Sequence, residues 1–149
     1  MLKDIYNFLP LTDQLLSSGM PTEEQLKDIA NAGVQVVINL AVPTSEKALP
    51  NEALLVESLN MAYVGIPVEW DHPTNQNLKE FKDAMDAHRD QKVHVHCQAN
   101  YRATAFITLY RIERLGWKRE EAFKDLRQVW NPDDYPIWKK FIEDTLSKL

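Results

Sequence analysis

One stretch of this 149-residue sequence gathers groups capable of covalent chemistry: VHVHCQANYRAT, residues 93–104. It holds the chain's single cysteine, Cys97, five positions ahead of Arg102. The apolar residues before Cys97 read as a strand and those after Arg102 as the start of a buried helix. A strand, a short loop and a helix start aim backbone N–H groups and the positive helix end at one point, where an anion belongs. A thiol at the mouth of that cradle is favoured as thiolate by the helix terminus and by a guanidinium, and a thiolate near neutral pH is a nucleophile. Arg102 brings paired planar donors that match phosphate oxygens. Asn100 tolerates the left-handed backbone that a tight cradle often assigns to glycine. The competing reading makes Cys97 a core thiol and Arg102 a surface cation, the usual fate of a lone cysteine. Strand, cysteine, arginine and helix arriving together favour chemistry.

Cleaving a phosphomonoester needs a proton for the leaving oxygen and then a base for water, and one carboxyl can serve both. Asp71, in the loop WDHP after a predicted strand at 63–68, is the candidate acid. It precedes Cys97 by enough chain for one helix and one strand. Glu69 and His72 are close rivals, and Asp71 could instead only cap the turn before Pro73. Asp83, Asp86 and Asp90 fall on the helix predicted from residue 75 and read as solvated. His94 and His96 alternate on one strand face beside Cys97. Three ligands packed that tightly cannot easily surround a tetrahedral ion, so neither a metal nor a cofactor is expected. Trp70 and Tyr101 lie in loops beside the anion site and could stack on a planar substrate, whereas Trp117, Trp130 and Trp138 read as core.

The elements that must position these residues follow from pattern. TEEQ at 22–25 has capping-box spacing, Leu26, Ile29 and Ala30 share a helical face, and Gly33 is a stop signal. VQVVINLAV at 34–42 is short, apolar and β-branched, as in a strand buried on both faces. A helix at 51–59, a strand at 63–68, a helix through Leu78, Phe81, Met85 and His88, and a strand at 92–96 continue the alternation. Residues 101–115 are apolar nearly all round, which marks a buried helix. Two amphipathic helices follow, at 119–129 and 135–149. The predicted fold is α/β: an open, mostly parallel sheet with helices on both faces and extra C-terminal helices. Ligands in such sheets bind at the carboxyl ends of the strands, which points to the loops after residues 42, 68 and 96.

The chain reads as a single domain over 1–149, without repeats or linkers. A net charge of −5 argues against a broad nucleic-acid or acidic-membrane surface. With one cysteine, no internal disulfide can form. The N-terminal residues do not have the form of a leader peptide, and no run is long enough to span a membrane, so a soluble, cytoplasmic protein is expected. The pattern does not specify an oligomeric state.

HCQANYRAT resembles the loop HCxxxxxR, followed by Ser or Thr, of the cysteine-based tyrosine and dual-specificity phosphatases, through His96, Cys97, Arg102 and Thr104. SGMPTEEQLKDIANAGVQVVINL (18–40) and YVGIPVEWDHPT (63–74) are similar to the small bacterial phosphatase-like group associated with β-lactamase-hydrolase-like proteins. The likeness runs over residues 18–115 as an overall pattern. It implies that Cys97 attacks phosphorus to give a phosphocysteine. Arg102 and the loop from Cys97 through Gln98, Ala99, Asn100 and Tyr101 would hold the phosphate oxygens. Thr104 would ease thiolate departure, and His96 would orient the loop from below. The loop is one residue shorter than the phosphatase pattern, a CxxxxR spacing that resembles rhodanese-like sulfurtransferases. Three functions therefore stand: a phosphomonoester hydrolase, a non-catalytic module binding phosphate or a phosphoresidue, and a sulfurtransferase. The expected partner is a phosphate-containing substrate or oxyanion.

Overall fold

A computed structural model describes residues 1–149. Five strands form one sheet: β1 (Leu9–Thr12), β2 (Leu15–Ser18), β3 (Val36–Asn39), β4 (Ala62–Gly65) and β5 (Val93–His96). Their order is β1-β2-β5-β3-β4, with β1 antiparallel to β2 and every other pair parallel. The centre of the sheet is thus the last strand in the sequence, and β5 delivers its carboxyl end, His96, directly into the Cys97 loop. Six helices complete the chain: α1 (Glu23–Asn31), α2 (Glu52–Ser58), α3 (Asn75–Ala87), α4 (Tyr101–Glu113), α5 (Arg119–Leu126) and α6 (Pro136–Ser147).

The period-two alternation of the strands divides the core. Val36, Ile38, Val93 and Val95 pack on one face with Phe81 of α3, Phe106 and Leu109 of α4, Leu126 of α5 and Trp138 of α6. Leu16 and Val37 turn to the other face against Leu26 and Ile29 of α1 and Val56 of α2. The mostly parallel sheet with helices on both faces is therefore as predicted. The segment 102–111 of α4 is buried at every position, because α3, α5 and α6 surround it. No helix is long and apolar enough to cross a membrane.

Two departures from the predicted elements have simple causes. The hairpin β1–β2 had no clear signature: each strand has only four residues, and Pro10, which has no N–H to donate, marks β1 as an edge. The strand expected at 63–68 is assigned only to Gly65, since Pro67 interrupts the ladder. Its neighbours continue it nonetheless, with Ile66 N–H donating to Asn39 O at 2.9 Å and Val68 N–H to Leu40 O at 3.0 Å. The capping box at Thr22 and Gln25 is formed, and Gly33 ends α1 at φ 89°.

Candidate active site

Strand β5 ends at His96 and helix α4 begins at Tyr101, so Cys97 to Asn100 form the turn between the central strand and the most buried helix. Asn100 takes φ 69°, the left-handed conformation anticipated for it, and is fully buried. Its side chain holds that strained backbone, donating to Asn7 O at 2.9 Å and Ser17 Oγ at 3.1 Å. The rim of the loop is fixed by the residues flanking the β1–β2 hairpin: Met20 N–H donates to Gln98 O at 3.0 Å, and Asn7 Nδ2 to Ala99 O at 2.9 Å. The N–H groups of Gln98 and Ala99 donate to no carbonyl of the chain. Those of Tyr101, Arg102 and Ala103 belong to the first turn of α4, where no intrahelical acceptor exists. The loop thus offers several free donors beside one thiol.

A cavity of about 350 Å³ opens over this loop, lined by Trp70, Cys97, Gln98, Ala99, Tyr101, Arg102 and Tyr135. The Cys97 side chain lies at its base, 1% exposed. Arg102 is nearly as buried, and its guanidinium donates to Val68 O at 2.7 Å. That bond ties the arginine to the end of the chain segment following β4. The walls are aromatic: Tyr101 stacks on Trp130 at 4.8 Å and 3°, while Trp70 meets Tyr101 at 5.9 Å and Tyr135 at 5.4 Å. Burial, and then the neighbouring Tyr135, push the Tyr101 phenol above its ordinary pKa. Trp70 and Tyr101 are thus beside the thiol as expected, and Trp130 and Trp138 are core. Trp117, also read as core, instead lies in the connection between α4 and α5 under the Arg111 guanidinium.

His96 supports the loop. It is wholly buried, its Nδ1 stands 3.3 Å from Cys97 O, and its Nε2 meets Glu52 Oε2 at 2.7 Å. Asn39 Nδ2 donates to Glu52 Oε1 at 3.4 Å and to Tyr63 Oη at 3.1 Å. A buried polar chain from Tyr63 to the Cys97 carbonyl therefore lies beneath the loop. Neither Glu52 nor Asn39 was singled out from the sequence. His94, two residues back on the same face, pairs its Nε2 with Ser18 Oγ at 2.8 Å. Burial, and then the neighbouring His96, push its pKa down to about 3, so its ring is neutral. The two strand histidines thus have separate partners.

Two of the candidate residues stand apart from the thiol. Thr104 makes no hydrogen bond to Cys97; its hydroxyl donates to Asn100 O at 2.7 Å and accepts from the Trp130 indole N–H at 3.0 Å. It stands one helical step past the position following Arg102, so it faces the loop's stem and braces Asn100. Asp71 is exposed at the tip of a turn closed by His72 N–H donating to Glu69 O at 3.1 Å, and it does not line the cavity. Glu69 and His72 are exposed as well. Of this loop only Trp70 lines the cavity.

A family model described as "DSP-PTPase phosphatase fused to NAD+ Kinase" matches residues 11–136. The chain belongs to this phosphatase family. A protein of Shewanella putrefaciens CN-32, provisionally described as a phosphatase of the DUF442 group, is similar at 38% identity and a TM-score of 0.88. That match covers 99% of this chain and 95% of that one. TpbA of P. aeruginosa, in a complex with pTyr, shares the fold at 16% identity and a TM-score of 0.72, over 91% of this chain and 82% of its own. PTPMT1 shares it at 18% identity and 0.72, over 95% and 97%. No curated protein matches. The CxxxxR spacing that also suggested a rhodanese is therefore carried on a tyrosine and dual-specificity phosphatase fold.

Proposed function

We propose that this protein is a cysteine-dependent hydrolase of phosphomonoesters. The observation that supports it best is the convergence of Cys97, the free amides of its loop and the Arg102 guanidinium on one aromatic-walled cavity. In the first step Cys97 Sγ forms a bond to phosphorus while the bond from phosphorus to the ester oxygen breaks, and that oxygen takes a proton. Loop amides and Arg102 hold the equatorial oxygens as charge grows on them, which is the electrostatic contribution such a cradle makes. Water then attacks phosphorus, the S–P bond breaks, and Cys97 returns as thiolate with inorganic phosphate released. The start of α4 and the loop amides border Cys97, whereas the Thr104 hydroxyl is engaged by Asn100 O and the Trp130 indole. His96, held by Glu52, orients the loop through the Cys97 carbonyl.

Asp71 is proposed as the acid and then the base. It adjoins Trp70, and Val68, three residues earlier, is tied to Arg102. Reaching the cavity requires an inward swing of the exposed turn that opens the His72 N–H to Glu69 O bond and hinges beyond the Trp70 carbonyl, which accepts from Trp138 Nε1 at 2.8 Å. One observation favours a second reading: no carboxylate lines the cavity as it stands, which suits a module that binds oxyanion without turnover.

Hydrolysis of an activated aryl phosphate and of a poor-leaving-group alkyl phosphate, with tungstate as competitor, separates these readings. Cys97→Ser is expected to lose turnover while still binding tungstate. Asp71→Asn is expected to slow the alkyl ester by about 10²–10⁴-fold and the aryl ester far less. Equal slowing of both esters would remove Asp71 from the mechanism. Wild-type protein that binds tungstate but hydrolyses neither ester would establish the binding module.

A further inference from the structure

The residues ahead of β1 are anchored away from the cavity yet reach the loop that carries Cys97. Ile5 is 2% exposed in the core beneath α1, and Gln25 Nε2 donates to Asp4 O at 3.2 Å. From that anchor the chain turns at Asn7, itself left-handed at φ 49°, and meets Asn100 in a reciprocal exchange. Asn7 Nδ2 donates to Ala99 O at 2.9 Å, and Asn100 Nδ2 donates to Asn7 O at 2.9 Å. Tyr6 O accepts from Gly19 N–H at 2.7 Å, and Gly19 pairs with Ala99. Two asparagines 93 residues apart, both with positive φ, thus lock to each other across the loop.

The consequence follows from peptide geometry. A trans peptide is planar with its C=O and N–H opposed, so a fixed carbonyl fixes the plane on which the next residue begins. Met20 holds the Gln98 carbonyl and thereby sets the direction of the Ala99 N–H. Asn7 holds the Ala99 carbonyl and thereby sets the plane from which Asn100, Tyr101 and Arg102 depart. A loop one residue short has less slack to find this arrangement unaided.

We propose that Asn7 is a positioning residue for the oxyanion cradle: it acts through Ala99 and Asn100, sets the affinity of the loop for a phosphate-like oxyanion, and makes the segment ahead of β1 part of the active site. The proposal rests on the phosphatase reading of that loop. Glycine substitutions isolate the clamp from backbone strain, because glycine keeps positive φ at no cost. Asn7→Gly removes only the bond to Ala99 and leaves Asn7 O for Asn100. Asn100→Gly removes both of its own side-chain bonds.

The test compares wild type, N7G, N100G and the double variant by tungstate calorimetry, by amide hydrogen exchange resolved over residues 97–103 and over α5 and α6, and by kcat and KM on an aryl phosphate. N7G is expected to bind tungstate about 3- to 10-fold more weakly, the worth of one half-buried hydrogen bond. It should exchange faster at 97–103, read at Cys97, whose N–H donates to Ser18 O at 3.4 Å, but not in α5 or α6, and lose kcat in parallel with tungstate affinity. The double variant should be little worse than N100G, since both act on one lock. N7G with wild-type tungstate affinity and loop exchange overturns the proposal, whatever its melting temperature, and so does full additivity in the double variant. Wild type that binds no tungstate overturns the phosphatase reading instead, and loop exchange in N7G alone then decides whether Asn7 holds the loop.

Discussion

Gly19→Ala should damage the active site from outside it. Gly19 follows β2 and runs alongside the Cys97 loop, and a Cβ placed on it would stand 2.6 Å from Gln98 O, 2.9 Å from Tyr6 Cδ2 and 3.0 Å from Tyr6 O. Ordinary contact begins at 3.4 Å, so the Gln98 carbonyl would have to retreat by about 0.8 Å. Two of the three obstacles are backbone atoms, which cannot rotate away. Gly19 is not in the left-handed region, so alanine meets no conformational penalty there and the effect isolates the clash. Overpacking of this kind costs about 1–3 kcal/mol, which for a chain of this size lowers Tm by about 2–12 °C. A displacement approaching 1 Å in a positioning loop is worth about 10²-fold in kcat/KM. The assay is thermal unfolding with and without tungstate at 100 times the wild-type Kd, where binding adds about 2.7 kcal/mol to the wild type. The alanine variant should melt lower and gain much less from the ion. A variant that melts with the wild type and shows the same tungstate shift would refute the argument that the Gly19–Gln98 approach shapes the cradle.

Two further perturbations probe the support beneath the loop. His94 is held neutral with a pKa of about 3 against an ordinary 6.5, so the unfolded chain binds a proton there that the folded chain refuses. That contribution is intact above pH 6.5 and is lost as pH falls towards 3, at about 1.4 kcal/mol per pH unit. Urea unfolding at pH 6.5 and 4.5 should therefore show a loss about 2–3 kcal/mol larger in wild type than in His94→Gln, and equal losses would contradict it. Removing the Glu52 carboxylate from His96 should cost about 3–5 kcal/mol in Glu52→Ala, because a buried partner is stranded. Glu52→Gln keeps an acceptor for the same ring nitrogen and should cost about 1–2 kcal/mol, the difference between a charge-assisted and a neutral bond. Equal losses in the two variants, measured by urea unfolding, would show that packing and not the polar link carries the effect.

The features legible in the amino-acid order were those written in local chemistry. Thr22 and Gln25 specify a helix start within four residues, Gly33 a stop, and Val36 to Ile38 a buried strand. The left-handed turn at Asn100 was legible for the same reason, since few side chains tolerate that backbone. Tyr101 and Trp70 could be placed beside the thiol because strand ends in a parallel sheet share one edge. Glu52 escaped notice because a glutamate on an amphipathic helix ordinarily faces water; only the packing of α2 against β4 carries it to His96, 44 residues away in the chain. The Asn7–Asn100 exchange is equally invisible along the chain, since each asparagine alone reads as a turn former. Asp71 shows the converse limit: its place in a loop at the right sheet edge was predictable, but which side chain of a four-residue turn points inward depends on the turn's geometry. Here that side chain is Trp70.

The place of β5 has a consequence for how the molecule assembles. Strands β2 and β3 never pair with each other; β2 finds its one parallel partner, and β3 its second beside β4, in residues 93–96, with Leu15 lying opposite Val93. Until that segment is synthesised and inserted there is a hairpin on one side, a two-stranded fragment on the other, and nothing joining them. Closing such distant contacts is the slow part of folding. Because the strand that unites the halves runs straight into Cys97, the keystone of the sheet is also the stem of the loop. A chain that has not yet seated residues 93–96 therefore has neither a joined sheet nor a placed Cys97, and the cradle proposed to hold an oxyanion forms no earlier than the sheet does.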